Sequence, residues 1–317
     1  MLSLLLAGAL AAQPTLIDAG PLKLELHTSY TAVLFHVVDQ ASQWSPFCHR
    51  AYRDGLEPLD AEDVALLAKH AALRKQRGWD GLNPVMYSDG TLEEALAKGV
   101  ATGVLTPEQA DAERHLLAHF RPRIDTLLAA KAPNLDEGVA RLVARTKDLK
   151  AFAERASRFA MNASARVRFY LLPSPGPGAG GGYNGGVLTV ELSKGDDPFG
   201  VLVHEAWHAL VRTRDDTLNA TVKQTPGLDY ESLSEGMAYA VWGDNLVAAV
   251  RQDLQTKAAF DQPYVRFRRL GLALRPLLKA ALDDPNQNLL TFLPQARDVF
   301  LAVRELSLGL DAAEKPR

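Results

Sequence analysis

"PFGVLVHEAWHALV", residues 198–211, is an apolar run interrupted by three ionisable side chains, His204, Glu205 and His208. Read as a helix, it places the two histidines four apart on one face, with β-carbons about 5–6 Å apart. Their ring nitrogens can then converge on one ion roughly 2 Å from each. Glu205, one position after the first histidine, is carried to the edge of that face, within reach of a water but not needed as a ligand. Because the helix is apolar on nearly every other side it is expected to be buried, and a buried ionisable group is costly unless paired or bound to a metal. The competing reading, two core histidines one turn apart, has to accommodate a buried carboxylate as well.

The segments on either side set the fold class. Asp196 and Asp197, followed by Pro198 at a favourable first-turn position, mark the start of this helix. Upstream, residues 166–173 (RVRFYLLP) and 186–193 (GVLTVELS) read as strands, separated by the glycine-rich loop SPGPGAGGGYNGG. Residues 22–27 (LKLELH) alternate apolar and polar with the period of a half-buried strand. Between about Ser29 and Met161 the pattern is helical. Asp60 with Asp63, Thr91 with Glu94, and Thr106 with Pro107 and Gln109 each read as helix starts in which a side-chain oxygen caps free first-turn amides. A further helical pattern opens near Tyr230, and the rest is helical to about Leu310, with breaks near Pro263 and at DDPNQN. The reading is α+β and predominantly helical, with a small sheet preceding the histidine helix.

With 317 residues, 47% hydrophobic and 23% charged, the chain has the composition of a soluble globular protein. A formal charge of -3 gives no global field for nucleic acid, so no nucleic-acid partner is expected. The opening MLSLLLAGALAAQP resembles a secretory signal with an A-x-A cleavage site, which makes residues 1–12 an expected leader and export to the periplasm or medium the expected destination. That run is too short to span a bilayer, and no later stretch reads as a transmembrane segment. Cys48 is the single cysteine, so neither an internal disulfide nor a thiolate cluster can form, and a buried free thiol is expected.

A catalytic zinc takes three protein ligands and keeps a fourth position open. No histidine follows His208, so either the third ligand is a carboxylate or the site is incomplete, and residues 229–244 (DYESLSEGMAYAVWGD) offer Glu231 and Glu235 on a second apolar helix. The pair HEAWH and SEGMAYA resembles the gluzincins, the thermolysin-like branch of zinc metallopeptidases, over roughly residues 166–244. That resemblance implies a zincin-like core at 162–245, between a mainly helical region at 13–161 and a C-terminal helical region at 246–317. It implies Zn2+ held by His204, His208 and Glu235, with Glu205 as general base. Glu235 is preferred to Glu231 because Gly236, Ala238 and Tyr239 follow it, as in the family's Glu-Gly-x-Ala form, where small residues let the two helices approach. It also implies a peptide or protein substrate, with residues 187–192 as the edge strand that pairs with it. An oxyanion donor is needed, and Tyr183, Tyr230 and Tyr239 remain open for it. The chain departs from the family at Tyr239, where many members carry an aspartate that braces a histidine, and the third histidine of the metzincins is absent.

Other motifs carry less. Gly176, Gly178 and Gly181 spell G-x-G-x-x-G after a strand, but a strand-like run follows where a dinucleotide site needs a helix, so no nucleotide is expected. His115 and His119 lack a following glutamate and are expected to face solvent. The basic residues from Arg266 to Lys279 are expected to form the solvated face of a packed helix. The alternative to a peptidase is a non-catalytic binding or scaffold protein that keeps the zincin fold or a structural zinc site.

Overall fold

The computed structural model of the protein describes residues 14–176, 180–195, 197–226, 228–242 and 245–313. The expected leader, together with Asp196 and Gly178, lies outside them. The fold is α+β and mostly helical, with one five-stranded sheet of order β1-β2-β3-β5-β4: Thr15–Ala19, Leu22–His27, Ala165–Pro173, Gly181–Asn184 (β4) and Val187–Leu192 (β5). β3 runs parallel to β5, and β4 runs antiparallel to β5.

Two strands escape the alternation rule. β1 lies just beyond the expected leader, and β4 lies in the glycine-rich segment read as a loop. β4 exists because a tight hairpin presents it to β5: Asn184 pairs with Val187 across Gly185 and Gly186, whose φ values of 58° and 75° are the positive ones a two-residue hairpin turn demands. The consequence corrects the expected substrate edge. Residues 187–192 are an internal strand, fully buried between β3 and β4, and the terminal strand on that side is β4.

The chain forms two compact units. The first comprises residues 1–17, 24–145 and 166–198, and the second residues 18–23, 146–165 and 199–317. β3 except Ala165, β4 and β5 fall in the first unit, and the histidine helix falls in the second.

In the first unit, helices α1 (Tyr30–Ala41), α2 (Arg50–Gly55), α3 (Ala61–Met86), α4 (Leu92–Ala101), α5 (Pro107–Lys131) and α6 (Leu135–Ala144) include the three expected starts, each a complete capping box. Their apolar faces share a core with Tyr170, Leu172 and Val187 of the sheet. Inside it lies a charged network. His70 Nε2 is 3.0 Å from Asp39 Oδ1 and its Nδ1 is 2.9 Å from Glu113 Oε2, while Arg74 Nε is 2.8 Å from the same Asp39 oxygen. The Arg74 guanidinium also lies over the Trp44 ring, 4.6 Å from its centroid. Cys48 is buried as expected, and burial pushes its thiol up to about 12. His119 departs from expectation: it turns inward, with Nε2 2.7 Å from Asp63 Oδ1, whereas His115 is exposed.

The second unit holds α7 (Thr146–Phe159), α8 (Phe199–Val211), α9 (Asp215–Lys223), α10 (Tyr230–Val241), α11 (Asn245–Gln255), α12 (Pro263–Asp283) and α13 (Leu289–Ala313). Every described residue of α8 except Gly200 is buried, and Trp207 packs on Phe159 at 5.8 Å between ring centroids. Just past α8, Arg214 donates to the carbonyls of Ala160 and Met161 at the end of α7, which fixes where α8 stops. The basic stripe of α12 is only partly a solvated face. Arg268 pairs with Asp253 at 2.6 Å, and Arg269 donates to the Ala258 carbonyl at 2.9 Å.

Both ring nitrogens of His70 face carboxylates, which accept only, so both must donate and the ring is an imidazolium. Burial opposes that charge, but Glu113 and Asp39 overcome it and raise the pKa from 6.5 to about 9. A raised pKa contributes stability that is complete below pH 6.5 and lost as pH climbs through 9, on the order of 3 kcal/mol. Nitrogen chemical shifts of His70 are expected to report a charged ring at pH 7.5, with the urea midpoint falling between pH 6.5 and 9. A neutral His70 at pH 7.5 would contradict this assignment.

Candidate metal centre

α8 and α10 pack against one another in the second unit and supply the site. α8 forms because its residues can be buried on all sides, and the cost of His204, Glu205 and His208 is offset only by what they face. These three are 8%, 6% and 7% exposed, so solvent does not neutralise them. α10 starts where the Asp229 side chain accepts from the Ser232 amide at 2.7 Å, and Glu235 of this helix meets His204 and His208 of α8.

The three donors converge. His204 Nε2 is 3.3 Å from His208 Nε2 and 3.3 Å from Glu235 Oε2, and His208 Nε2 is 3.2 Å from Glu235 Oε1. Ligands about 2.05 Å from a tetrahedral ion stand about 3.3 Å apart; the two imidazole nitrogens keep that spacing, and each meets a different oxygen of the Glu235 carboxylate. The triangle is the single group of three or more metal-binding side chains among the described residues. Glu205 stands outside the triangle, its carboxylate 4.0 Å from His204 Nε2. Glu231 is not in it: its carboxylate reaches toward Arg266 at 4.0 Å.

The buried carboxyl of Glu205 and the half-buried one of Glu235 differ in acidity. Burial pushes Glu205 up to about 7, with Glu235 adding to the rise and His204 and Arg212 opposing it. Burial would raise Glu235 as well, but the imidazoles of His208 and His204 outweigh it and hold that carboxyl well below its usual range. Glu235 is therefore the committed anion, and Glu205 is a base held close to neutral pH.

The tyrosines separate as clearly. Tyr239 lays its ring edge-on to His204, centroids 4.8 Å apart, and Trp242 meets Tyr239 edge-on in turn at 5.3 Å. The Tyr230 hydroxyl donates to Asp215 at 2.6 Å. Tyr183 lies on β4 in the first unit.

Small residues matter here, but at a different interface from the expected one. Gly236 faces Leu270 of α12 rather than α8, and a β-carbon on Gly271 would stand 2.4 Å from Tyr239 Cβ. Gly271 thus lets α12 press the backbone of Tyr239 toward His204. Sequence reading did not single out Ser234, Arg212, Asp215 or Gly271. The available signals were positional: Ser234 immediately precedes Glu235, and Arg212 falls one helical turn after His208.

No family model, curated protein or solved structure matches the chain.

Two outcomes are expected from substitution. Purified protein refolded with zinc should hold one equivalent, kept by Glu231→Ala and lost by Glu235→Ala; equal loss in both would contradict the triangle. Gly271→Ala should cost about 1–3 kcal/mol in urea unfolding, because the added methyl meets backbone as well as side chain. An unchanged midpoint would show that α12 can move away freely.

Proposed function

We propose that the protein is a zinc-dependent peptidase that cleaves peptide bonds by adding water, with Glu205 as general base. The observation that carries this reading is the placement of one buried carboxylate just outside a zinc-sized triangle. A purely structural site needs three or four ligands and gains nothing from an additional buried carboxylate. The likeness of HEAWH and SEGMAYA to the gluzincin motifs supports the same reading.

Zinc, when bound, supplies Lewis acidity toward a carbonyl and makes water easier to deprotonate. His204, His208 and Glu235 would hold it, two neutral donors and one anion, leaving net positive charge at the open position. Glu205 then accepts the proton of the attacking water and delivers it to the departing amine, which suits a carboxyl held near neutral pH. The tetrahedral oxyanion needs a donor. With Tyr230 committed to Asp215, Tyr239 is the tyrosine of the second unit whose ring already packs on a metal-binding histidine.

A peptide or protein is the substrate class proposed. Export is proposed from the leader-like residues 1–12. No described helix is long and apolar enough to cross a membrane.

Glu205→Gln separates this reading from a non-catalytic zinc protein. It keeps shape and hydrogen-bonding capacity but cannot take a proton. The variant should bind zinc like the wild type while hydrolysis of a mixed peptide library falls at least about 100-fold. Undiminished hydrolysis would remove Glu205 from its role, and a zinc-loaded wild type that cleaves nothing would favour the non-catalytic alternative.

A further inference from the structure

We propose that Trp242 is the wall of a substrate subsite beside the metal centre, and that it selects peptides with a large apolar or aromatic side chain next to the bond that is cut. The inference rests on the peptidase reading and deepens it by naming a substrate subclass.

Two helical stripes locate Trp242. On α8, Gly200, His204 and His208 follow one another at intervals of four and so share a face. On α10, Tyr239 lies four residues after Glu235 and Trp242 seven after it, again on one face, with Trp242 as the residue that caps the helix. The stripes meet twice. Glu235 reaches His204 and His208 at the metal triangle. One turn nearer the start of α8, the Trp242 indole lies where a side chain at Gly200 would begin: a β-carbon there would stand 3.0 Å from Nε1 and 3.1 Å from Cδ1. A β-carbon marks the direction in which a residue faces, so the indole covers the ligand-bearing face of α8. Four helical residues span about 6 Å, which sets its offset from His204 along the axis.

Tyr239 fills the interval. Its ring meets His204 edge-on at 4.8 Å and Trp242 edge-on at 5.3 Å, so an unbroken aromatic row leads from a metal-binding imidazole to the indole. Tyr239 is 8% exposed, whereas Trp242 is only half-buried. The Glu235 side chain is 29% exposed, so the centre itself is reachable from solvent.

Trp207, the tryptophan of α8, shows what a purely structural indole does in this unit: it is fully buried and packs on Phe159. Trp242 instead leaves apolar surface in water beside the metal ligands, and covering that surface with an apolar group is favourable. Binding sites combine such aromatic walls with a few polar groups that fix orientation, and here the metal centre supplies the polar groups. Consecutive Cα atoms of a peptide are about 3.8 Å apart, so a substrate whose carbonyl lies at the ion carries its flanking side chains within reach of a surface about 6 Å away. Gly200 is part of the device, because any side chain there would displace the indole.

Two zinc-binding probes, phenylalanine hydroxamate and glycine hydroxamate, test the wall on the zinc-loaded full chain without catalysis. Wild-type protein should bind the phenylalanine probe about 10–100-fold more tightly than the glycine probe. Trp242→Ala should lose most of that preference while still holding zinc, Trp242→Phe should retain part of it, and Gly200→Ala should lower it. In hydrolysis, Trp242→Ala should lose more kcat/KM on a phenylalanine-containing peptide than on its glycine counterpart, chiefly through KM. An unchanged probe ratio in Trp242→Ala, or equal losses for both probes, would overturn the wall and leave the peptidase reading standing. Loss of zinc in Trp242→Ala and Trp242→Phe alike would make the indole a structural support and overturn the wall as well. A zinc-loaded wild type that prefers the phenylalanine probe yet hydrolyses no peptide would overturn the peptidase reading and keep Trp242 as a ligand contact.

Discussion

Two imidazole nitrogens 3.3 Å apart, each a little over 3 Å from an oxygen of the same carboxylate, are a demanding arrangement to bury. Lone pairs on neighbouring nitrogens repel, and a carboxylate removed from water needs a positive partner. Without an ion, the triangle can be satisfied only by protonating a ring. With one, all three donors are satisfied at once. The rest of the second unit follows from holding that geometry. α8 is apolar elsewhere so that it can be enclosed, α10 is started by its Asp229 cap, and α12 comes close enough at Gly271 to back Tyr239 against His204. The donors sit on helices, where rotamers are constrained by packing on several sides, and such placement gives the precision a metal site needs.

The same constraint divides labour between two glutamates. Glu235 is drawn into the triangle by two imidazoles and stays ionised. Glu205 lies outside it, gets less help, and is pushed toward neutral pH by burial. Two carboxyls separated in acidity by their surroundings are the usual arrangement when one binds and the other moves protons. Arg212 moderates the second of these, since its charge opposes the rise at Glu205.

What could be read from sequence was whatever local rules encode. His204, Glu205 and His208 announce themselves by helical spacing, and three capping boxes gave three helix starts, because a cap is a contact between residues three apart. Glu235 was preferred through resemblance, and its place beside the histidines depends on packing that spacing alone does not encode. β4 was lost because glycine carries almost no strand preference, although Asn184-Gly185-Gly186 is a hairpin signal in its own right. The internal position of residues 187–192 depends on β4, so that error followed from the first. Gly236 was assigned to the wrong neighbour, since a helix pattern gives a face but not its partner. His119 looked solvent-facing because periodicity cannot show that Asp63, 56 residues away, waits beneath it.

Histidine and carboxylate together do not make a metal site, and this chain contains the contrast within itself. His70 stands between Asp39 and Glu113, with each ring nitrogen facing its own oxygen. Both nitrogens must carry protons, no lone pair remains, and the ring serves as a buried cation that joins helices. In His204 and His208 the Nε2 atoms face one another and share one carboxylate. That geometry cannot be met by two protonated rings without placing like charges in contact, and it leaves lone pairs directed at a common point. The His70 cluster is also the more deeply buried, its side chains 0–4% exposed against 9–29% for His204, His208 and Glu235. The directions in which the nitrogens point make one a structural ion pair and leave the other able to hold a cation, and those directions follow from which helix face is packed against which neighbour.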